Sequence, residues 1–157
     1  MNLESNVLIV DNNVGIVTLT LNRPEVRNAL NETLIVSLIQ ELDRLETDST
    51  VKLVVINSLG DNFCAGADLN WMQQSLNYDE AANTEDAIIL STLMRKLNSL
   101  PKPTVCITQG AVYGGGIGLV ACCDISIAID TTKFCFSEVK LGLAPAVIEP
   151  YIVNAIG

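Results

Sequence analysis

The 157-residue chain contains no histidine. That absence removes Ser-His and Cys-His nucleophiles, the imidazole base and the most common metal ligand. Any proton transfer falls to carboxylates, tyrosine, lysine or cysteine. Positive charge is scarce as well: 9 Lys and Arg against 18 Asp and Glu leave a net charge of -9. Such a balance repels nucleic acid and anionic membrane surfaces, so neither is expected as a partner. No apolar run is long enough to cross a bilayer. The opening Met1 to Asn6 carries Glu4 where a secretion signal needs bases. The five cysteines, Cys64, Cys106, Cys122, Cys123 and Cys135, form no CxxC pair and no zinc spacing. They read as reduced thiols packed like small apolar residues in a cytoplasmic protein, and no metal is expected.

What is present suits a single domain over residues 1–157, with 49% hydrophobic residues to build its core. Val7 to Asp11 and Val14 to Leu21 read as a hairpin turning at Asn12-Asn13, because asparagine tolerates the left-handed conformation. Asn31 is placed to cap a helix carrying Leu34, Leu38, Leu42 and Leu45 at helical spacing. Val51 to Asn57 reads as a buried strand and Asn83 to Leu100 as an amphipathic helix stopped by Pro101 and Pro103. Thr104 to Thr108 and Asp124 to Asp130 read as strands, with a short helix opened by Gly114-Gly115-Gly116. A hairpin followed by strand–helix alternation predicts an α/β fold with several parallel strands.

Two loops after strands stand out: Gly60 to Leu69 and Gly110 to Gly116. Their small residues expose backbone N–H groups, and the second opens a helix, where the macrodipole adds positive potential. Converging on one oxygen, they would form an oxyanion hole. The run Gly116 to Ala121 also fits the G-x-G-x-x-A pattern of dinucleotide-binding folds. Its spacing fails, because the next strand begins near Asp124 and leaves about two turns for the crossover helix.

Four segments, Asn22 to Asn31, Phe63 to Leu69, Gly110 to Gly116 and Phe136 to Leu143, together resemble the crotonase (enoyl-CoA hydratase/isomerase) superfamily, in family order and spacing. The stretch Leu141 to Pro145, through Pro150-Tyr151, is more narrowly similar to bacterial hydratases acting on methylglutaconyl-CoA or isohexenylglutaconyl-CoA. The resemblance implies a crotonase-like ββα spiral core. It implies an acyl-CoA thioester substrate, with coenzyme A as part of the substrate and no further cofactor. Ala67 and Gly115 match the backbone donors to the thioester oxygen, and Glu138 matches the glutamate that exchanges a proton with the substrate α-carbon. Val26 and Arg27 match contacts to the CoA adenine and phosphates. Ala65, Asp68 and Leu69 match the loop lining the adenine pocket.

Two departures from the family pattern follow. The family's first glutamate position is Gly118 here, which is expected to leave room beside the glycine turn for bulkier substrate or a held water. Glu149, where the family is usually small, is a candidate second carboxylate. Family members also continue well past Gly157 with the helices that cover the site and build trimers. The fold is therefore expected to lack the C-terminal helical trimerisation region, whether as a fragment or a truncated product. A homo-trimer or hexamer is implied where those helices exist. The pattern Ile148, Ile152, Ala155, Ile156 predicts a final helix whose apolar face needs a partner. The expected activity is hydration of a branched 2-enoyl-CoA. Single-glutamate isomerisation and acyl-CoA binding without turnover are the alternatives.

Overall fold

The computed structural model describes residues 6–75, 77–142 and 144–157. The Leu143 of the narrower motif lies outside the described residues. The opening hairpin joins β1 (Leu8–Asn13) to β2 (Ile16–Leu21). Its turn is Val14-Gly15, with φ of 53° and 86°, two residues beyond the expected Asn12-Asn13. Pairing extends through Asn13 opposite Ile16, a register that keeps Val17, Leu19 and Leu21 on the buried face. Asn12 contributes from inside the strand, its Oδ1 accepting the Gly15 N–H at 3.2 Å. Only glycine fits at 15, since a Cβ there would stand 2.6 Å from the Thr50 carbonyl oxygen.

Helix α1 (Glu32–Thr47) is capped as expected, the Leu34 N–H donating to Asn31 Oδ1 at 3.0 Å. It leads to β3 (Leu53–Ser58), followed by a short α2 (Leu69–Ser75) and α3 (Glu80–Asn98). α3 starts three residues earlier than expected because Asp79 caps it, accepting from the Ala82 N–H at 2.9 Å. Then come β4 (Thr104–Thr108), β5 (Ala111–Tyr113), α4 (Gly115–Ala121), β6 (Ile125–Ala128), β7 (Lys133–Cys135) and α5 (Glu149–Ile156). One sheet runs β1-β2-β3-β4-β6, antiparallel at β1–β2 and parallel thereafter; β5 and β7 pair in a second, parallel sheet. The mixed α/β fold is the one expected.

The core lies between the first sheet and the two long helices. Leu34, Ile35, Leu38, Leu42 and Leu45 of α1 and Leu93, Met94 and Leu97 of α3 are buried with Val54, Ile56 and Cys106 of the strands. Truncating one such leucine to alanine costs about 3 kcal/mol. Asp124 fastens β6 to β4, its carboxylate accepting from the Thr104 N–H and hydroxyl at 2.8 Å each. Beyond that tie β6 is exposed along its length, and Ile125, Ile127, Ile129 and Phe134 present apolar surface. In α5 Ile152 is buried, whereas Ala155 and Ile156 face outward. Cys64, Cys106 and Cys122 are buried as expected, but Cys123 and Cys135 are only half-buried. Among the described residues no helix is long and apolar enough to cross a membrane.

Candidate active site

The two glycine-bearing loops are stitched side by side. Phe63 N–H donates to Gln109 O at 2.8 Å, Cys64 N–H to Ala111 O at 3.0 Å, and Tyr113 N–H to Cys64 O at 2.8 Å. Strand β5 is thus hidden inside a segment that reads as loop, because three residues flanked by glycines carry too little period-two pattern to reveal a strand. On the other side Leu30 N–H donates to Gly66 O at 2.7 Å and Asp68 N–H to Leu30 O at 2.8 Å. Successive backbone amides of an extended segment point to opposite sides. With Asp68 committed to Leu30, the Ala67 amide points the other way. Among the described residues neither Ala67 nor Gly115 donates its N–H to a protein acceptor.

Both residues line one cavity of about 510 Å³, as does Glu138. Gly115 approaches closely because it lacks a side chain: a Cβ there would stand 2.8 Å from Leu30 Cδ1. Gly116 lets α4 settle on the first loop, its missing Cβ leaving 2.8 Å to Cys64 Cβ. Glu138 sits in the short 3-10 turn Ser137–Leu141 after β7, and its Oε2 is buried without a hydrogen-bond partner. Its Oε1 would stand 2.7 Å from a Cβ on Gly114, so the carboxyl packs directly on that glycine. Glu138 thus brings a carboxyl to the cavity lining with one oxygen buried and unpaired, and a carboxyl so placed can exchange a proton with a ligand there.

The remaining candidates separate. Ala65 and Leu69 line the same cavity, but Val26, Arg27, Asp68 and Glu149 do not. The Asp68 side chain is engaged structurally, pairing with Arg23 Nη2 at 2.8 Å and accepting from the Asn70 N–H at the start of α2. Burial alone would raise its pKa, but the Arg23 guanidinium and the Asn70 and Trp71 amides outweigh it and hold the carboxyl below the usual carboxylate range. Val26 is half-buried and Arg27 exposed; the Arg27 carbonyl braces the loop by accepting from the Ala65 N–H at 3.0 Å. Glu149 is exposed at the first turn of α5, where a negative charge complements the helix dipole. The room expected at Gly118 is absent. A Cβ there would meet Ile148 Cγ2 at 2.5 Å and the Met94 Cε and Sδ at 3.0 Å each, so apolar side chains fill that space.

Several wall residues carry no motif in the sequence. Trp71 and Met72 arrive on α2, Leu90 on α3, and Val147 and Ile148 on the approach to α5. The Asp68 cap was the one signal that a helix begins there. Asn28 is also essential scaffolding: buried at φ 55°, it donates from Nδ2 to the Leu59 and Asn62 carbonyls at 2.8 Å each, which anchors the first loop. Among the described lining residues of the cavity there is no cysteine. Burial pushes Cys64 up to about 11 and Cys122 to about 12. Cys106 is raised by its contact with Cys123 and by burial. Among the described residues no cluster of three or more metal-ligating side chains occurs.

Residues 11–157 match the family model described as enoyl-CoA hydratase/isomerase. A solved structure of an enoyl-CoA hydratase from Shewanella pealeana superposes with a TM-score of 0.95 at 42% identity, covering 98% of this chain and 58% of that one. Among curated proteins, an enoyl-CoA hydratase of Alternaria alternata is 38% identical over 143 residues, which are 91% of this chain and 46% of the relative. A trans-2-decenoyl-acyl-carrier-protein isomerase of Streptococcus mutans is 38% identical over 137 residues, 87% of this chain and 51% of the relative. The chain spans about half the length of the curated relatives it matches.

Proposed function

The chain belongs to the enoyl-CoA hydratase/isomerase family, and from that premise we propose that it forms the enolate-stabilising half of an enoyl-CoA hydratase-type lyase. The Ala67 and Gly115 amides bind the thioester oxygen, and Glu138 moves the proton. In hydration the water oxygen bonds to the β-carbon while the double-bond electrons pass through the α-carbon onto the thioester oxygen as an enolate. Glu138 takes the proton from water and returns it to the α-carbon. A pre-aimed donor to that oxyanion is worth about 3 kcal/mol. The observation that carries this reading is the meeting of Glu138 with Ala67 and Gly115, whose amides find no acceptor among the described residues, in the lining of one cavity.

The apolar wall of Trp71, Met72, Leu90 and Val147 supports a branched acyl group whose hydrocarbon part lies against it. Val26 and the exposed Arg27 remain the proposed contacts to the CoA adenine and phosphates, beside Ala65, Asp68 and Leu69 on the adenine loop. Coenzyme A enters as part of the substrate, with no separate cofactor. Assembly as a trimer or hexamer and a cytoplasmic location belong to the same proposal, and light scattering tests the assembly. One observation favours a second reading, isomerisation of a 3-enoyl-CoA: Ile148 and Met94 occupy the space at Gly118, and Glu138 is the carboxylate in the described cavity lining. A single glutamate suffices to take a proton from the α-carbon and deliver it to the γ-carbon. Product analysis on methylglutaconyl-CoA, crotonyl-CoA and a 3-enoyl-CoA decides. A hydroxyacyl product supports the lyase, a shifted double bond the isomerase, and binding without turnover of any of them refutes both.

A further inference from the structure

Gly118 and Ile148 meet where α4 passes behind the cavity wall. A Cβ on Gly118 would lie 2.5 Å from Ile148 Cγ2, closer than a folded core permits, and 3.0 Å from the Met94 thioether. Ile148 is nearly fully buried, yet it also lines the cavity. The side chain therefore has two faces, one resting on the bare α-carbon of Gly118 and the other bordering the ligand space. Its main chain is fixed on both sides. The Ile148 N–H donates to Pro145 O at 3.0 Å, and its carbonyl accepts the Ile152 N–H of α5 at 3.2 Å. How far Ile148 stands back from the cavity is thus set by the missing side chain at 118.

We infer that Ile148 sets the depth of the acyl compartment, with Gly118 as the partner that lets it sit back. This deepens the proposed function and rests on its reading that the cavity takes an acyl thioester. The ligand feature it selects is the length of an acyl chain whose end reaches Ile148 in the cavity that Trp71 and Leu90 also line. Trimming Ile148 to alanine joins the cavity to an apolar recess bounded by Gly118 and Met94. Added methylenes of a longer chain would fill that recess, and one methylene in an apolar pocket changes discrimination by about 10-fold or more. Gly118→Ala in the Ile148→Ala background returns one of the three carbons removed, where Cγ2 stood, and narrows the recess again.

The test is calorimetric binding of butyryl-CoA and octanoyl-CoA to the native protein and its variants, with thermal denaturation to verify folding. Ile148→Ala is expected to shift the affinity ratio toward octanoyl-CoA by about 10-fold. Gly118→Ala/Ile148→Ala is expected to reverse part of that shift. Ile148→Val shifts the ratio severalfold in the same direction and decides the matter should the alanine variant fail to fold. An unchanged ratio in a folded variant overturns the inference. Saturated thioesters bind without being hydrated, so the two proposals fail separately. The expected ratios without turnover of any enoyl thioester refute the reaction and leave the pocket standing, whereas binding of neither thioester refutes both.

Discussion

Replacing Gly114 by alanine perturbs the backbone and the carboxyl of Glu138 at a single atom. Gly114 has φ 48° and ψ -120°, a region in which a side chain costs about 1–3 kcal/mol. Its new Cβ would stand 2.7 Å from Glu138 Oε1 and 3.3 Å from Cδ. The carboxyl must then withdraw by roughly half an ångström or more to reach ordinary contact. Misplacing a reacting group by about 1 Å costs on the order of 100-fold in rate, so kcat/KM on an enoyl-CoA is expected to fall roughly 10- to 100-fold. Gly142→Ala supplies the control. Gly142 also has positive φ, 70°, but among the described residues nothing lies within 4 Å of its added Cβ. That variant should lose stability in denaturant titration while keeping turnover. Wild-type kcat/KM in a folded Gly114→Ala protein, or equal losses in both variants, refutes the claim that Gly114 seats the carboxyl.

Arg23→Ala leaves the buried Asp68 carboxylate with only its helix-start amides, and urea unfolding should show a loss of about 3 kcal/mol. Because Asp68 titrates lower in the folded chain than in the unfolded one, its stabilisation is complete above the ordinary carboxyl value of about 3.9 and fades as pH drops through the folded value. Asp68→Asn should therefore flatten the acid limb of a stability-against-pH curve. Gly110→Ala drives a Cβ to 2.0 Å from the Asp61 carbonyl at φ 58°, and should cost roughly 3 kcal/mol or more in the same assay. A thiol reagent at neutral pH should label Cys123 and Cys135 first, and Cys64, Cys106 and Cys122 only on unfolding, read by mass spectrometry.

The elements legible in the sequence were those with a long period or an unambiguous stop: α1 with its Asn31 cap, α3 before Pro101 and Pro103, and β4. Short elements built from tertiary pairing were not. β5 owes its existence to Cys64 and β7 rather than to its own three residues, and α2 is held by the Asp68 cap and the cavity wall. The hairpin turn was misplaced because asparagine's tolerance of positive φ is a local preference, whereas register is fixed by the buried face of β2. At the site, the glycines and Glu138 were readable because backbone donors and a lone acid need those residue types. Gly118 shows the converse limit. A missing side chain in the sequence is not empty space in the fold, since Ile148 and Met94, distant along the chain, have moved in.

The claim that two amides and Glu138 form one enolate site is tested most directly by α-proton exchange of butyryl-CoA in deuterated water, followed by NMR. The native protein should incorporate deuterium at the α-carbon. Glu138→Gln, which keeps the shape and removes the ionisation, should bind butyryl-CoA as tightly yet exchange slower by about 100-fold or more. Exchange at the native rate in Glu138→Gln, or none in a native protein that binds the thioester, contradicts it.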